Sequence, residues 1–192
     1  MRKGLKNKLN RCIKFFIITI LLSLSANTVY AYDLFPGRFD TGKITYGVIA
    51  GGDTAKEYAQ TAVKQWNGVS SKVKIQKYTG KDPRDAKLRL NFNAVKAPTK
   101  GALGITYLQK GYTVVSVDST WTHATCVQYK DTEAKKKSQR LKTCVHEIGH
   151  SLSLAHPTGG KAASPSIMEQ GLRTRYKLYE RDKNHLIYKW GK

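Results

Sequence analysis

The residues KITYGVIA, Lys43 to Ala50, are dense in β-branched and aromatic side chains and predict a first strand, which Gly51 and Gly52 break. Thr54 to Glu57 then fits a capping box. Ala55, Tyr58, Ala59, Ala62, Val63 and Trp66 follow at spacings of three and four, the mark of an amphipathic helix that ends near Gly68. Trp66 could stack on a ligand, but its place on that apolar stripe assigns it to the core. The period changes to two from Val73 to Tyr78, and again from Ala86 to Val95 through Leu88, Leu90 and Phe92, predicting two half-buried strands on either side of a turn at Thr79 to Pro83. Gly101 to Tyr107 lacks helical period and length and reads as an edge strand or loop. Tyr112 to Asp118 reads as another strand, and Asp118 to Asp131 as a polar, irregular connection.

Glu133 to Lys137, a charge run with the character of a solvated face, leads into a second helix. There Leu141, Cys144, Val145, Ile148 and Leu152 form one apolar stripe, and at about 100 degrees per residue His146 and His150 fall on nearly the opposite side. One face belongs to the core and the other to a cleft. Pro157 and Gly159-Gly160 show that the helix is over by then. A last helix is predicted over Lys177 to Trp190, with Tyr179, Leu186, Ile187 and Trp190 on one face among Arg175, Lys177, Arg181, Lys183 and Lys189. Aromatics on the buried side and bases on the exposed side make this a docked helix, so no nucleic-acid partner is expected.

The ends of the chain and its charge add a cellular address. Arg2, Lys3, Lys6, Lys8, Arg11 and Lys14 precede the apolar run Phe15 to Leu24, and small residues surround Ala31. This is the pattern of a secretory signal peptide over residues 1–31, leaving a single domain over 32–192. The apolar run is well short of the roughly 20 residues that span a bilayer, so no stable membrane insertion is expected after cleavage. Cys12 precedes the run rather than following it, which argues against a lipoprotein. Without the leader, 28 basic residues face 13 acidic ones, a formal charge of +15. Such an excess fits a polyanionic neighbourhood, whether an envelope polymer, an anionic membrane surface or acidic substrates, or else a merely soluble lysine-rich surface. Cys126 and Cys144, in a chain bound for an oxidising compartment, could pair as a disulfide or stay as inert thiols. Cys144 is excluded as a metal ligand beside His146, because two residues along a helix is about 200 degrees.

The candidate chemistry sits in HEIGHSLSLAH, His146 to His156. His146 and His150, four apart on a helix, project from one face about one turn from each other. Glu147 is adjacent, within side-chain reach of their common ligand. His156 would lie about 15 Å along an unbroken helix from His146, so it can join them only if the chain turns sharply after about Leu152. Three imidazoles and one carboxylate are the set that hydrolytic Zn²⁺ requires: three ligands for the ion, and a base for the proton of the attacking water. His123 has no such spacing to anything and reads as a surface or loop histidine.

HExxHxxxxxH followed by Ser166-Ile167-Met168 resembles the metzincin clan of zinc endopeptidases, and most of all its matrixin-like bacterial members. The resemblance implies that His146, His150 and His156 hold one Zn²⁺, that Glu147 is the catalytic acid/base, and that Met168 forms the methionine turn beneath the metal. It also implies an α+β fold: a twisted, mostly parallel mixed sheet of about five strands on two helices, with a C-terminal helix. Gly101 to Tyr107 would be the edge strand that binds substrate backbone. Two departures stand out. Ser153 occupies the position where the clan pattern has a glycine with positive φ, a conformation that costs a serine roughly 1 kcal/mol or more. Gln170 stands two residues after Met168, so an extra tyrosine ligand is not expected. About a dozen residues separate Ala31 from the first strand, so a pro-domain is not expected either.

The reading that results is a secreted, monomeric zinc endopeptidase, extracellular or associated with the cell envelope, that acts on peptide or protein substrates. One alternative is a secreted basic envelope-binding protein with a structural or vestigial zinc site. Another is a zinc amidase acting on cell-wall peptide. No acidic loop of recognisable spacing speaks for calcium.

Overall fold

A computed structural model describes residues 32–158 and 165–192. The expected signal peptide and the Gly159-Gly160 stop lie outside the described residues. The first strand, β1 (Lys43–Ala50), coincides with its expected span. Helix α1 (Gly52–Trp66) follows. Its N-cap is Gly51 at φ 95°, not a threonine: Thr54 lies already inside the helix, and no side chain caps the end. Glycine serves here because the left-handed turn out of β1 excludes a side chain, and a Cβ on Gly51 would lie 1.9 Å from the Phe92 carbonyl oxygen.

Strands β2 (Lys74–Lys77) and β3 (Leu88–Lys96) complete the first half of the sheet, with a short 3-10 turn at Pro83–Asp85 between them. β4 (Gly104–Lys110) follows, and β5 (Thr113–Val114) is only two residues of the strand expected over Tyr112 to Asp118. Beyond Val114 the chain turns on itself, with the Ser116 hydroxyl accepting the Asp118 N–H. The polar stretch expected to be irregular instead contains β6 (His123–Lys130). Its burial explains why alternation failed to reveal it: Ala124 and Cys126 to Tyr129 are all buried, including Gln128 at 1% exposure. A strand covered on both faces carries no period of two.

The order across the sheet is β2-β1-β3-β6-β4-β5. β2, β1, β3 and β6 are mutually parallel, whereas β4 is antiparallel to β6 and to β5. The fold is therefore α+β with a mixed sheet of six strands, one more than expected, the extra one being β6. β5 and the following Val115, whose N–H donates to Leu108 O at 2.8 Å, cover β4 from Leu108 to Lys110, so Gly104 to Tyr107 presents an open edge.

Helix α2 (Lys137–Ser151) packs on β4, β6 and α1. Its apolar stripe is as read: Leu141, Cys144, Val145, Ile148 and Leu152 are all buried. The Trp66 indole N–H, on a fully buried ring, donates to Val145 O at 3.0 Å and ties the two helices together. Helix α3 (Glu180–Trp190) begins three residues later than expected and buries Leu186 and Trp190, with the Trp190 indole donating to Leu152 O at 3.0 Å. One compact unit spans Asp33–Lys192. No helix among the described residues is long and apolar enough to cross a membrane.

Candidate active site

The C-terminus of α2 decides the site. Past Leu152 the Ser153 N–H donates to His150 O and the Leu154 N–H to Gly149 O, each at 3.0 Å. This pair of bonds is a Schellman motif, whose left-handed position normally belongs to glycine. Here that residue is Ser153, at φ 80°, fully buried, with its hydroxyl lacking any hydrogen-bond partner. The turn that His156 needs is therefore built in the usual backbone geometry, with a serine held in it.

The turn brings His156 back over the helix. His156 Nε2 lies 3.1 Å from both His146 Nε2 and His150 Nε2. His146 Nδ1 donates to Ile167 O at 2.9 Å, and His150 Nδ1 to Leu154 O at 2.8 Å. A carbonyl only accepts, so each Nδ1 carries the proton and each Nε2 offers a lone pair inward. Burial, reinforced by neighbouring His150 and Lys142, holds His146 well below the ordinary histidine range. Burial also lowers His150 to about 4, partly offset by its bond to Leu154 O, and lowers His156. Three neutral imidazoles therefore converge. A tetrahedral ion at about 2.0–2.1 Å from each nitrogen would separate them by about 3.3 Å, close to the distances here. Among the described residues these three form the one cluster that could hold a metal ion.

Glu147 is 4% exposed, and the Thr106 hydroxyl of β4 lies 2.8 Å from both Glu147 Oε2 and Glu147 O. Burial pushes the Glu147 carboxyl up to about 8, against the opposing pull of the Thr106 hydrogen bond and the Lys142 charge. A carboxyl so placed can take a proton near neutral pH and give it back. Gly104 is needed on the other side, because a Cβ there would lie 2.7 Å from Glu147 Oε1.

Met168 is 1% exposed and lies under Gly149, where a Cβ would be 2.5 Å from its Sδ. The methionine turn is held by buried Asp182 of α3, which accepts from the Ser166 hydroxyl (2.5 Å), from the Ile167 N–H (3.0 Å to Oδ2) and from the Tyr179 N–H (2.8 Å). Asp33 clamps the far side. Its main-chain O accepts from Ala155 N at 2.9 Å, and Oδ1 from Thr158 N (2.9 Å) and the Thr158 hydroxyl (2.7 Å), while Arg181 pairs with Oδ2. The neighbouring Phe35 ring stacks on His150 with centroids 5.6 Å apart. None of Asp33, Phe35, Thr106 or Asp182 carries a local signal, because each reaches the site across the fold.

The candidate pair Cys126 and Cys144 is not bonded. Both are free, buried thiols. The Cys126 thiol points at Glu147 O, 3.2 Å away, and Cys144 lies in the core stripe of α2; burial raises the pKa of both. His123 is not on a loop but opens β6, half-buried, with Nδ1 2.8 Å from the Thr122 hydroxyl and no part in the histidine cluster.

The three imidazoles, Glu147, Lys142, Phe35, the β4 segment and Gln170-Gly171 line one cleft of about 430 Å³. The profile of the family described as "Metallo-peptidase family M12B Reprolysin-like" matches residues 24–157, which takes in all three histidines. The chain belongs to this M12B reprolysin-like metallopeptidase family. Among solved structures the chain is similar to the structure of myroilysin, with a TM-score of 0.53 and 14% identity over 83% of this chain and 98% of that one. At such identity the likeness concerns the fold, and it agrees with the mixed sheet and helices described above. No curated protein sequence matches the chain. The metzincin resemblance holds at the level of the clan, and the matched family is its reprolysin-like branch rather than the matrixin-like one specifically.

Proposed function

We propose that this M12B reprolysin-like metallopeptidase is a secreted zinc endopeptidase with Glu147 as general base and acid. The observation that carries this reading is the meeting of three Nε2 lone pairs beside a buried carboxylate at the floor of an open-edged cleft. Zinc held by His146, His150 and His156 would act as a Lewis acid and bring the pKa of water to about 7. Ile167 O and Leu154 O orient two of the rings, and Asp33 holds the chain on both sides of the third. Thr106 fixes the rotamer of Glu147, which takes a proton from the attacking water and passes it to the leaving amine. The open edge of β4 binds the peptide backbone as an added strand.

Secretion rests on the leader-like residues 1–31. Within the clan, the matrixin-like resemblance rests on HExxHxxxxxH followed by Ser166-Ile167-Met168, whereas the family match favours the reprolysin-like branch. Replacing Glu147 with glutamine should leave one zinc per chain, measured by metal analysis, while peptide cleavage falls by at least the 10² to 10⁴ or so of general acid–base catalysis. Retained cleavage would refute the role of Glu147. One zinc without any peptide cleavage by the unmodified protein would favour a binding protein instead.

A further inference from the structure

We propose that Lys142 makes the cleft selective for acidic substrates, favouring aspartate or glutamate as the first residue on the C-terminal side of the cleaved bond. The inference rests on the peptidase reading and gives it a substrate class.

Lys142 lies one turn before His146 on α2, is 4% exposed, and lines the cleft at the end formed with Gln170 and Gly171. An ammonium has three donors. One goes to Glu169 O. The His146 Nδ1, 3.4 Å away, is itself a donor to Ile167 O and cannot accept another proton. Among the described residues no carboxylate forms an ion pair with Lys142. Glu169 is already engaged: its Oε2 faces Arg173 at 3.6 Å and its Oε1 accepts the Ser166 N–H at 3.3 Å. A cation withdrawn from water without a counter-ion is unfavourable, and such groups are normally paired. Glu147, Glu169 and Asp182 act on the Lys142 charge from a distance without pairing with it, so an anion entering the cleft would be its first direct counter-ion. Glu147, across the same space, serves the reaction and is tied to Thr106.

The sheet supplies the direction. β4 starts against α2, since a Cβ on Gly104 would meet Thr143 Cγ2 at 2.8 Å, and runs from there past Thr106 at Glu147 towards Leu108. A peptide added antiparallel to the open edge, the more stable pairing, runs the other way. Its residues after the scissile bond therefore arrive at the Lys142 end.

The test uses the zinc-loaded chain and a peptide library randomised around one cleavable segment, with products read by mass spectrometry. Glutamate and aspartate should be favoured over leucine at the first position after the cut by about tenfold, the worth of one charge-assisted hydrogen bond. Lys142→Met, which keeps an unbranched side chain one atom shorter and removes the buried charge, should bring that ratio to near one, and Lys142→Glu should invert it towards lysine and arginine. If Lys142 only supports the loop through Glu169 O, both variants will slow all peptides alike and leave the ratio intact, which overturns the proposal. An unmodified protein that cleaves without acidic preference overturns it too, while leaving the peptidase reading standing. Absence of any cleavage overturns both. As a second measurement, titration calorimetry of Glu147→Gln with glutamate- and leucine-bearing peptides should show the same preference in binding, lost when Lys142→Met is added; equal affinities would refute it.

Discussion

Replacing Ser153 with glycine should stabilise the protein, although the residue is fully buried at the joint of the metal site. Two costs end with the serine. At φ 80° its Cβ holds a left-handed conformation that glycine adopts freely, worth about 1 kcal/mol or more. Its hydroxyl is buried without a partner, which costs about 1–3 kcal/mol of lost hydration. Against these stands the greater freedom of glycine in the unfolded chain, about 0.5–1 kcal/mol. The balance is a gain of about 1–3.5 kcal/mol, or a rise of roughly 3–10 °C in thermal midpoint for a domain of this size. Calorimetric melting of the metal-free protein measures it. Ser153→Ala separates the contributions, because it removes the hydroxyl and keeps the backbone strain, so its midpoint should fall between the two. A lower midpoint for the glycine variant would refute the reasoning, and would mean that the hydroxyl contributes to the folded state in a way the geometry does not express.

Gly149→Ala should do the opposite: its Cβ would lie 2.5 Å from Met168 Sδ and 2.9 Å from Trp66 Cζ2, so overpacking of about 1–3 kcal/mol should outweigh the better helix propensity and lower the midpoint. Asp33→Ala, which keeps the main-chain bond to Ala155 but removes the carboxylate's hold on Thr158 and Arg181, should weaken zinc binding by about 10- to 100-fold in chelator competition, as loss of groups that orient ligands does; unchanged affinity would show that the carboxylate clamp is dispensable. The metal-free protein should lose stability as pH falls from about 6.5 towards about 4. With the folded His150 pKa depressed from 6.5 to about 4, and His146 and His156 also lowered, the unfolded chain binds more protons across that window. Melting curves without zinc would show this, and a midpoint flat or rising towards acid would contradict it.

What the sequence determined by itself was local. The period of Leu141, Cys144, Val145, Ile148 and Leu152 assigned His146 and His150 to the opposite face, and the HExxH spacing, the break before Pro157 and the odd serine at 153 located the turn. These are properties of neighbouring residues on one helix and its cap, where geometry follows from spacing. Tertiary structure decided what spacing cannot carry. β6 is a strand because β3 and β4 flank it, and covering both faces erased the alternation that would have revealed it. Cys126 and Cys144 stand as free thiols, one turned to Glu147 O and the other in the core stripe of α2. Thr106, Asp33 and Asp182 reach the site from 41, 125 and 15 residues away, respectively, from Glu147, Thr158 and Ile167. Lys142 looked like any lysine on a helix, and only its burial beside the histidines makes it a candidate for recognising substrate. Such long-range contacts depend on which elements the packed sheet brings together, and no pattern within a single element records them.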